Sequence, residues 1–323
     1  MLRFVFCYRG SKRGNGSVSA KKEARVQGEI AYVSTKKGML MEIKTVGVVG
    51  CGTMGSGITQ VCAQSGYQVI VSEINDEFLN NGLASINSAL TRSVDKGKIS
   101  REDKDATLNR IKGTTNTKDF CDCDLVIEAA SENMKLKKRI FAELDKICPK
   151  HAILASNTSC LSITDMAMAT SRPDKVLGLH FFTPASVMKL LEIIKTTATS
   201  EETLKVSQDF GTSLGKTIVI VQDTPGFIVN RLMVPFLLNA IRMLEAGVAT
   251  REDIDTAINL GLGHPMGPLT LADFIGLDVV LTIADAMYQK LKEPQYVPPV
   301  LLKKMVTAGW LGRKTGKGFY EYK

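Results

Sequence analysis

Two ionisable side chains stand inside apolar stretches, where a folded chain normally buries aliphatic residues. His180 closes the segment VLGLH, and Glu192 lies within LLEII a few residues later. Burying a charge away from water is costly unless the charge is paired, so each residue requires a partner. A histidine that titrates near neutral pH, with a carboxylate on its second ring nitrogen, can transfer one proton to or from a substrate. The alternative is a buried pair with no catalytic function.

A glycine-rich segment, VGVVGCGTMGSG, can bind the phosphates of a dinucleotide. Gly50, Gly52 and Gly55 have the spacing G-x-G-x-x-G between a β-branched run and a predicted helix. Such glycines allow a tight turn, close approach of a pyrophosphate and packing of the helix, whose N-terminus attracts the anion. Glu73 ends the next predicted strand, where a carboxylate binds both ribose hydroxyls and repels a 2′-phosphate. The pattern predicts NAD rather than NADP; a glycine turn without a ligand is the alternative.

These residues require a scaffold, and the sequence predicts one of Rossmann type. The runs KTVGVVG, YQVIVSE, CDLVIEAA, AILASN and KVLGLHFF alternate with segments of helical apolar spacing. This alternation predicts an α/β fold, a doubly wound and mostly parallel sheet. Residues 227–307 show helical periodicity, with predicted helix ends at Gly247, Gly261 and Gly263, and the next β-rich run is GFYEY at the end of the sequence. We therefore expect an NAD-binding domain over residues 41–224 and an all-helical C-terminal domain over residues 225–323.

Basic residues are concentrated at the N-terminus. The 323-residue chain has a formal net charge of +8, and residues 1–38 hold nine Lys or Arg and two Glu. The nearly neutral remainder argues against nucleic-acid binding as the main function. Residues 1–40 are interpreted as a basic leader outside the fold, either dispensable or a mitochondrial transit peptide, with a nucleic-acid arm as a third interpretation. The expected location is the cytoplasm, or the mitochondrial matrix if the leader is a transit peptide.

The cysteines predict a reducing compartment. There are seven, an odd number, and none forms a C-x-x-C motif, which argues against a disulfide framework. Cys121 and Cys123 lack partner ligands for a zinc site, so no metal is expected. No uncharged apolar run reaches the roughly 18 residues of a membrane span, so none is expected.

From about Lys44 to the C-terminus, the ordered motifs resemble the short-chain L-3-hydroxyacyl-CoA dehydrogenase family, most closely its bacterial 3-hydroxybutyryl-CoA dehydrogenases. The motifs are GVVGCGTMGSGI, DLVIEAASENMKLKK, SNTSCLSI, GLHFFTP, LLEII, PGFIVNRLMVP, GLGHPMGPLTLADFIGLD and GRKTGKGFYEY. The resemblance implies an NAD-dependent oxidoreductase that interconverts (S)-3-hydroxyacyl-CoA and 3-oxoacyl-CoA of short chain. It also implies an acyl-CoA substrate and a homodimer formed through the helical domain.

The resemblance further assigns roles to individual residues. The catalytic dyad falls on His180 and Glu192. The substrate contacts fall on Ser159, Asn230 and Lys96. The cofactor contacts fall on Gly50, Gly52, Thr53, Met54, Gly55, Glu73, Glu132, Lys137, Ser159, Thr183 and Lys314. A solvated helix start remains the alternative for Glu132 and Lys137, and a solvated basic turn for Lys96.

Two positions depart from the family pattern. Thr183 stands where the family usually has asparagine in H-F-F-N-P, and Ser186 replaces a usual proline. These changes affect the expected substrate preference and turnover rather than the reaction class.

Two rival functions remain open: a dehydrogenase of a free hydroxy or sugar acid such as gulonate, and a non-catalytic NAD-binding structural protein. A requirement for CoA separates the first rival, and binding of NAD without turnover would favour the second.

Overall fold

The computed structural model describes residues 41–322, which form an eight-stranded sheet followed by a group of helices. The strands are Thr45–Val49 (β1), Gln68–Ser72 (β2), Ile111–Thr114 (β3), Leu125–Glu128 (β4), Ile153–Ser156 (β5), Val176–Phe181 (β6), Leu190–Lys195 (β7) and Thr217–Gln222 (β8). The helices are Thr53–Gln64 (α1), Asp76–Asp95 (α2), Arg101–Asn109 (α3), Met134–Ile147 (α4), Ile163–Ala167 (α5), Glu201–Ser213 (α6), Val229–Glu245 (α7), Arg251–Leu262 (α8), Pro268–Ile275 (α9), Leu277–Leu291 (α10) and Val300–Thr307 (α11). The leader interpreted from the sequence lies outside the described residues.

The sheet is doubly wound. Its strand order is β3-β2-β1-β4-β5-β6-β7-β8. The first six strands are parallel, whereas β7 is antiparallel to β6, and β8 is parallel to β7. The predicted mostly parallel sheet of Rossmann type is therefore confirmed. Because the strand order reverses between β1 and β4, a crevice opens there at the carboxyl ends of the strands, where ligands bind in such folds.

Helices cover both faces of the sheet. The apolar residues of α1, α2 and α6 pack on one face, and those of α4 and α5 pack on the other. A separate apolar core joins α7 to α11, which confirms that the C-terminal part is helical. Strand β8 ends and α7 begins on either side of the predicted boundary at residues 224–226. Within residues 41–322, no helix combines the length and apolar character needed to cross a membrane.

Three of the eight strands, β3, β7 and β8, are absent from the five predicted runs. The segment of β3, IKGT, contains one β-branched residue at each end and a lysine and a glycine between them. Its strand character comes from pairing with β2 rather than from its own sequence. The segment of β7 was identified only as an apolar stretch, because a short apolar run has no periodicity that distinguishes a strand from a helix.

The predicted helix end at Gly261 was wrong. Helix α8 continues through Gly261 to Leu262 and ends at Gly263. Gly263 has a left-handed backbone with φ of 68°, which glycine adopts without a steric penalty. Gly247, with φ of 67°, likewise follows the end of α7. A glycine therefore ends a helix here when it takes the left-handed conformation, and the sequence alone does not reveal which glycine does so.

Candidate active site

The glycine loop joins β1 to α1 at the crevice. Gly50 has φ of +96°, and a Cβ at that position would lie 2.8 Å from the carbonyl oxygen of Ala129. A Cβ at Gly55 would lie 1.8 Å from the carbonyl oxygen of Gly50. At Gly52, by contrast, a Cβ would have no neighbour within 4 Å, so this part of the backbone faces open space. The first and third glycines are thus required by the fold, and the second leaves the loop open to a ligand.

Among the described residues, no side chain caps the N-terminus of helix α1. Its N-cap, Gly52, supplies no side-chain hydrogen bond, and its first turn contains no acidic residue. The carboxylate of Glu73 lies beside the loop, where Oε1 accepts the N–H of Cys51 at 2.7 Å and Oε2 accepts the N–H of Ile74 at 3.0 Å. An open backbone, an uncapped helix N-terminus and a fixed carboxylate after β2 fit a dinucleotide.

His180 and Glu192 form a buried pair. They are opposite one another in the antiparallel register of β6 and β7, and they are 6% and 1% exposed. His180 Nδ1 lies 2.7 Å from Glu192 Oε2. The other oxygen, Oε1, accepts the N–H groups of Ile228 and Val229, both at 3.1 Å. The carboxylate therefore holds both the histidine and the start of α7.

The hydrogen bond fixes the tautomer of the histidine. A carboxylate accepts hydrogen bonds and does not donate them, so Nδ1 carries the proton and Nε2 of the neutral ring has a free lone pair. The rings of Phe182 and Phe227 lie near the imidazole, with centroid distances of 4.5 Å and 5.5 Å. The geometry suits a proton acceptor in an apolar, sheltered position.

A second group of predicted residues meets at the loop after β5. The N–H of Ser159 donates to Glu132 Oε1 at 3.1 Å, and the hydroxyl of Thr158 donates to the same oxygen. Asn230, buried on α7, donates from Nδ2 to the carbonyl oxygen of Ser159 at 3.3 Å. The structure thus brings Ser159, Glu132 and Asn230 together.

Lys137 is almost completely buried, at 1% exposed, so the solvated alternative is wrong for it. Its ammonium lies 2.6 Å from Glu128, 3.2 Å from the carbonyl oxygen of Ala130 and 3.3 Å from Glu132. Glu128 is fully buried and also accepts the hydroxyl of Ser156 at 2.6 Å. The three protons of Lys137 therefore have three protein acceptors, and Lys137 is placed to hold Glu132. Sequence reasoning missed Glu128, although a carboxylate within an apolar strand was the same signal that revealed Glu192.

The remaining predicted residues divide into two groups. The hydroxyl of Thr183 lies 2.8 Å from the sulfur of Met54 in the first turn of α1, so Thr183 is beside the glycine loop. Lys314 instead pairs with Asp278 at 2.5 Å, among the C-terminal helices. Lys96 is exposed at the end of α2. The structure thus does not join Lys314 or Lys96 to the loop or to the buried pair. Among residues 41–322, no group of three His, Cys, Asp or Glu side chains could hold a metal ion.

The strand order and the glycine loop define a dinucleotide-binding α/β protein with a helical C-terminal part. Residues 45–224 match the family model of the NAD-binding domain of 3-hydroxyacyl-CoA dehydrogenase, and residues 226–322 match that of its C-terminal domain. The chain belongs to the 3-hydroxyacyl-CoA dehydrogenase family. This membership confirms the predictions of an NAD-dependent enzyme and of oxidoreduction of 3-hydroxyacyl-CoA.

Known relatives agree over most of the chain. A 3-hydroxybutyryl-CoA dehydrogenase of Mycobacterium tuberculosis is 48% identical over 282 residues, which cover 87% of this chain and 99% of the relative. The crystal structure of M. tuberculosis FadB2 has a TM-score of 0.86 at 48% identity and covers 88% of this chain and 100% of that chain. The crystal structure of (S)-3-hydroxybutyryl-CoA dehydrogenase PaaH1 from Ralstonia eutropha has a TM-score of 0.84 at 45% identity, covering 87% and 100%.

Proposed function

We propose that the protein interconverts short-chain (S)-3-hydroxyacyl-CoA and 3-oxoacyl-CoA, with 3-hydroxybutyryl-CoA and acetoacetyl-CoA as its substrate pair. The short chain length is supported by the names of the relatives from M. tuberculosis and R. eutropha, both 3-hydroxybutyryl-CoA dehydrogenases. The observation that carries the chemistry is the buried contact of 2.7 Å between His180 and Glu192. It favours an enzyme over a non-catalytic NAD-binding protein.

His180 acts as the general base during oxidation. NAD, held by the glycine loop and Glu73, would supply the hydride acceptor for the carbon that carries the 3-hydroxyl. The free lone pair on His180 Nε2 takes the hydroxyl proton, and the negative charge of Glu192 stabilises the resulting imidazolium. In the reduction direction, the same imidazolium returns its proton to the 3-oxo oxygen. Glu192 keeps Nδ1 protonated in both directions, so Nε2 is the nitrogen that exchanges a proton with the substrate.

Ser159 and Asn230 position the substrate. The hydrogen bond from the Asn230 side chain to the Ser159 carbonyl oxygen connects α7 to the loop after β5. The first turn of α7 also donates a backbone N–H group to Glu192. Side chains at this junction can contact the hydroxyl and the thioester beside the dyad. Lys96, exposed after α2, is free to contact a CoA phosphate. A role for Lys314 in cofactor binding requires it to leave Asp278.

A homodimer through the helical domain is part of the proposal. Three leucines on α7 and α8 expose most of their side chains: Leu232 by 71%, Leu260 by 82% and Leu262 by 63%. Large exposed apolar side chains on these two helices favour a protein interface there. The proposed location is the cytoplasm, or the mitochondrial matrix if residues 1–40 act as a transit peptide.

A steady-state assay of NADH oxidation tests the substrate. We expect turnover with acetoacetyl-CoA, a lower kcat/KM with long-chain 3-oxoacyl-CoA, and none with free acetoacetate. NADPH should be a poor replacement for NADH. Equal rates with free acetoacetate, or oxidation of gulonate at a comparable rate, would favour the hydroxy-acid or sugar-acid alternative. Tight NADH binding with no turnover of any acyl-CoA would favour the structural protein.

A further inference from the structure

Lys216 places a buried ammonium under the loop that joins β6 to β7, residues 182–189. The residue is 9% exposed and directly precedes β8. Its Nζ donates to the carbonyl oxygens of Ala185 at 2.5 Å and of Met188 at 2.8 Å. Within the described residues it makes no ion pair with a carboxylate. A buried lysine normally requires an anionic partner, so these carbonyl groups provide its compensation.

The 182–189 loop follows β6, the strand of His180, and contacts α1, the cofactor helix that begins at the glycine loop. It begins directly after Phe181, the last residue of β6 and the neighbour of His180. From this loop, the Thr183 hydroxyl contacts Met54 on α1 at 2.8 Å. The side chain of Ala185 packs so closely on α1 that a Cβ at Gly57 would lie 3.2 Å from it. The loop therefore lies between α1 on one side and Lys216 on the other.

The loop depends on Lys216 for part of its hydrogen bonding. Its own turn is closed by the N–H groups of Val187 and Met188, which donate to the carbonyl oxygen of Pro184 at 2.9 and 3.0 Å. The carbonyl oxygens of Ala185 and Met188 accept hydrogen bonds from the ammonium of Lys216. Burial lowers the pKa of Lys216 from its usual value of 10.5, so holding a charge there has a cost. A methionine would fill the same space without that cost, which points to the hydrogen bonds as the reason for a lysine.

We propose that Lys216 is a positioning residue for catalysis, which holds the 182–189 loop and so fixes the distance between the cofactor helix and His180. The inference rests on the proposed function and adds to it a residue remote from the reacting atoms. Hydride transfer and proton transfer both require close alignment of the donor and acceptor atoms, and small displacements reduce kcat strongly. A looser loop therefore affects turnover more than it affects binding of the acyl-CoA.

The test compares Lys216→Met with wild type and with a matched control. Lys205→Met changes an exposed lysine on the neighbouring helix α6. We expect Lys216→Met to lower kcat about tenfold, equivalent to about 1.4 kcal/mol in the barrier, and to leave KM for acetoacetyl-CoA within about twofold. Hydrogen exchange of the Val187 and Met188 amides should become faster, while Lys205→Met behaves as wild type in both measurements.

A second variant and the exchange data keep the outcomes distinct. Lys216→Gln retains one donor group and should fall between wild type and methionine; if the methionine variant is insoluble, this variant carries the comparison. Faster loop exchange with unchanged kcat would overturn the positioning role, as would lower kcat without faster exchange. An equal loss in Lys205→Met would also overturn it. If the wild type does not turn over acetoacetyl-CoA, the proposed function fails. Independently of that result, unchanged hydrogen exchange of the 182–189 loop in Lys216→Met would refute the claim that Lys216 holds the loop.

Discussion

Replacing Glu192 by glutamine tests the dyad with almost no change in shape. In wild type, Oε1 accepts two backbone N–H groups, and Oε2 accepts Nδ1–H of His180. A glutamine has one oxygen, and the two backbone donors require it. Its NH2 group then faces Nδ1, which must give up its proton, so the proton of the neutral ring moves to Nε2. The lone pair that should accept the substrate proton is then lost.

The magnitude follows from the same contacts. A hydrogen bond to a charged partner contributes roughly 1.5–3 kcal/mol, and a buried donor left without an acceptor costs roughly 1–3 kcal/mol. In Glu192→Gln, the imidazolium loses the first contribution and meets the second cost. The barrier should therefore rise by about 3–5 kcal/mol, a loss on the order of 10²–10⁴ in kcat. Both directions of the reaction must lose kcat/KM equally, because the equilibrium constant does not change.

The assay is steady-state oxidation of NADH with acetoacetyl-CoA for Glu192→Gln, His180→Ala and the double variant. The double variant should be little slower than His180→Ala alone, since Glu192 acts through the histidine. NADH binding, followed by fluorescence, should change little, and Glu201→Gln, an exposed carboxylate on α6, serves as the matched control. Fully multiplicative losses, or a Glu192→Gln enzyme within about threefold of wild type, would refute the dyad.

Four further predictions concern the cofactor site, the leader, the 182–189 loop and the core. Glu73→Ser should raise KM for NADH and weaken the preference over NADPH, because it removes the carboxylate that repels a 2′-phosphate; a wild type that already prefers NADPH would contradict the assignment. Deleting residues 1–38 should leave kcat and Tm nearly unchanged, because the sheet begins at Thr45; an inactive or aggregated truncation would contradict this. Thr183→Asn should keep or raise kcat, since an amide both donates and accepts; a fall of more than about tenfold, about 1.4 kcal/mol, would show that the pocket has adapted to threonine. Burial raises the pKa of the Cys62 thiol from 9.0 to about 12. The folded protein therefore holds this proton more tightly than the unfolded chain. This contribution of Cys62 to the free energy of unfolding is fully present below pH 9 and is lost as the pH rises towards 12, by about 4 kcal/mol at most. Urea unfolding between about pH 8 and 11 should show a smaller loss of stability for Cys62→Ala than for wild type; equal losses would contradict the prediction.

The predictable part of the fold is the part that local sequence encodes. Glycine spacing located the loop between β1 and α1, and β-branched runs separated by helical periodicity indicated the parallel sheet. His180 and Glu192 were recognised because each interrupts an apolar run. Their mutual distance was not predictable in the same way. It depends on the antiparallel pairing of β7 with β6, which the alternation of strands and helices does not reveal.

The unpredicted part depends on contacts that the local sequence pattern does not encode. Glu128 stands in an apolar strand as Glu192 does, but its partner Lys137 lies on the next helix and gives no signal of burial. The burial of Lys216 is not predictable from the sequence for a related reason: its acceptors are backbone carbonyl groups, which every residue possesses. Strand β3 exists because β2 provides an edge for it. In each case the determining partner is set by the tertiary structure.

The buried charges of this protein are better explained by positioning than by stability. A buried ion pair gains little net free energy, since removing two charges from water offsets most of their attraction. Yet the pairs His180–Glu192 and Glu128–Lys137 each include a carboxylate on a strand, and each contacts a backbone or side-chain group of a further element. Apolar residues of similar volume would fill these places at a lower cost in desolvation. Apolar residues could not orient the His180 ring as a proton acceptor or hold Glu132 in place, and the proposed reaction requires such fixed positions.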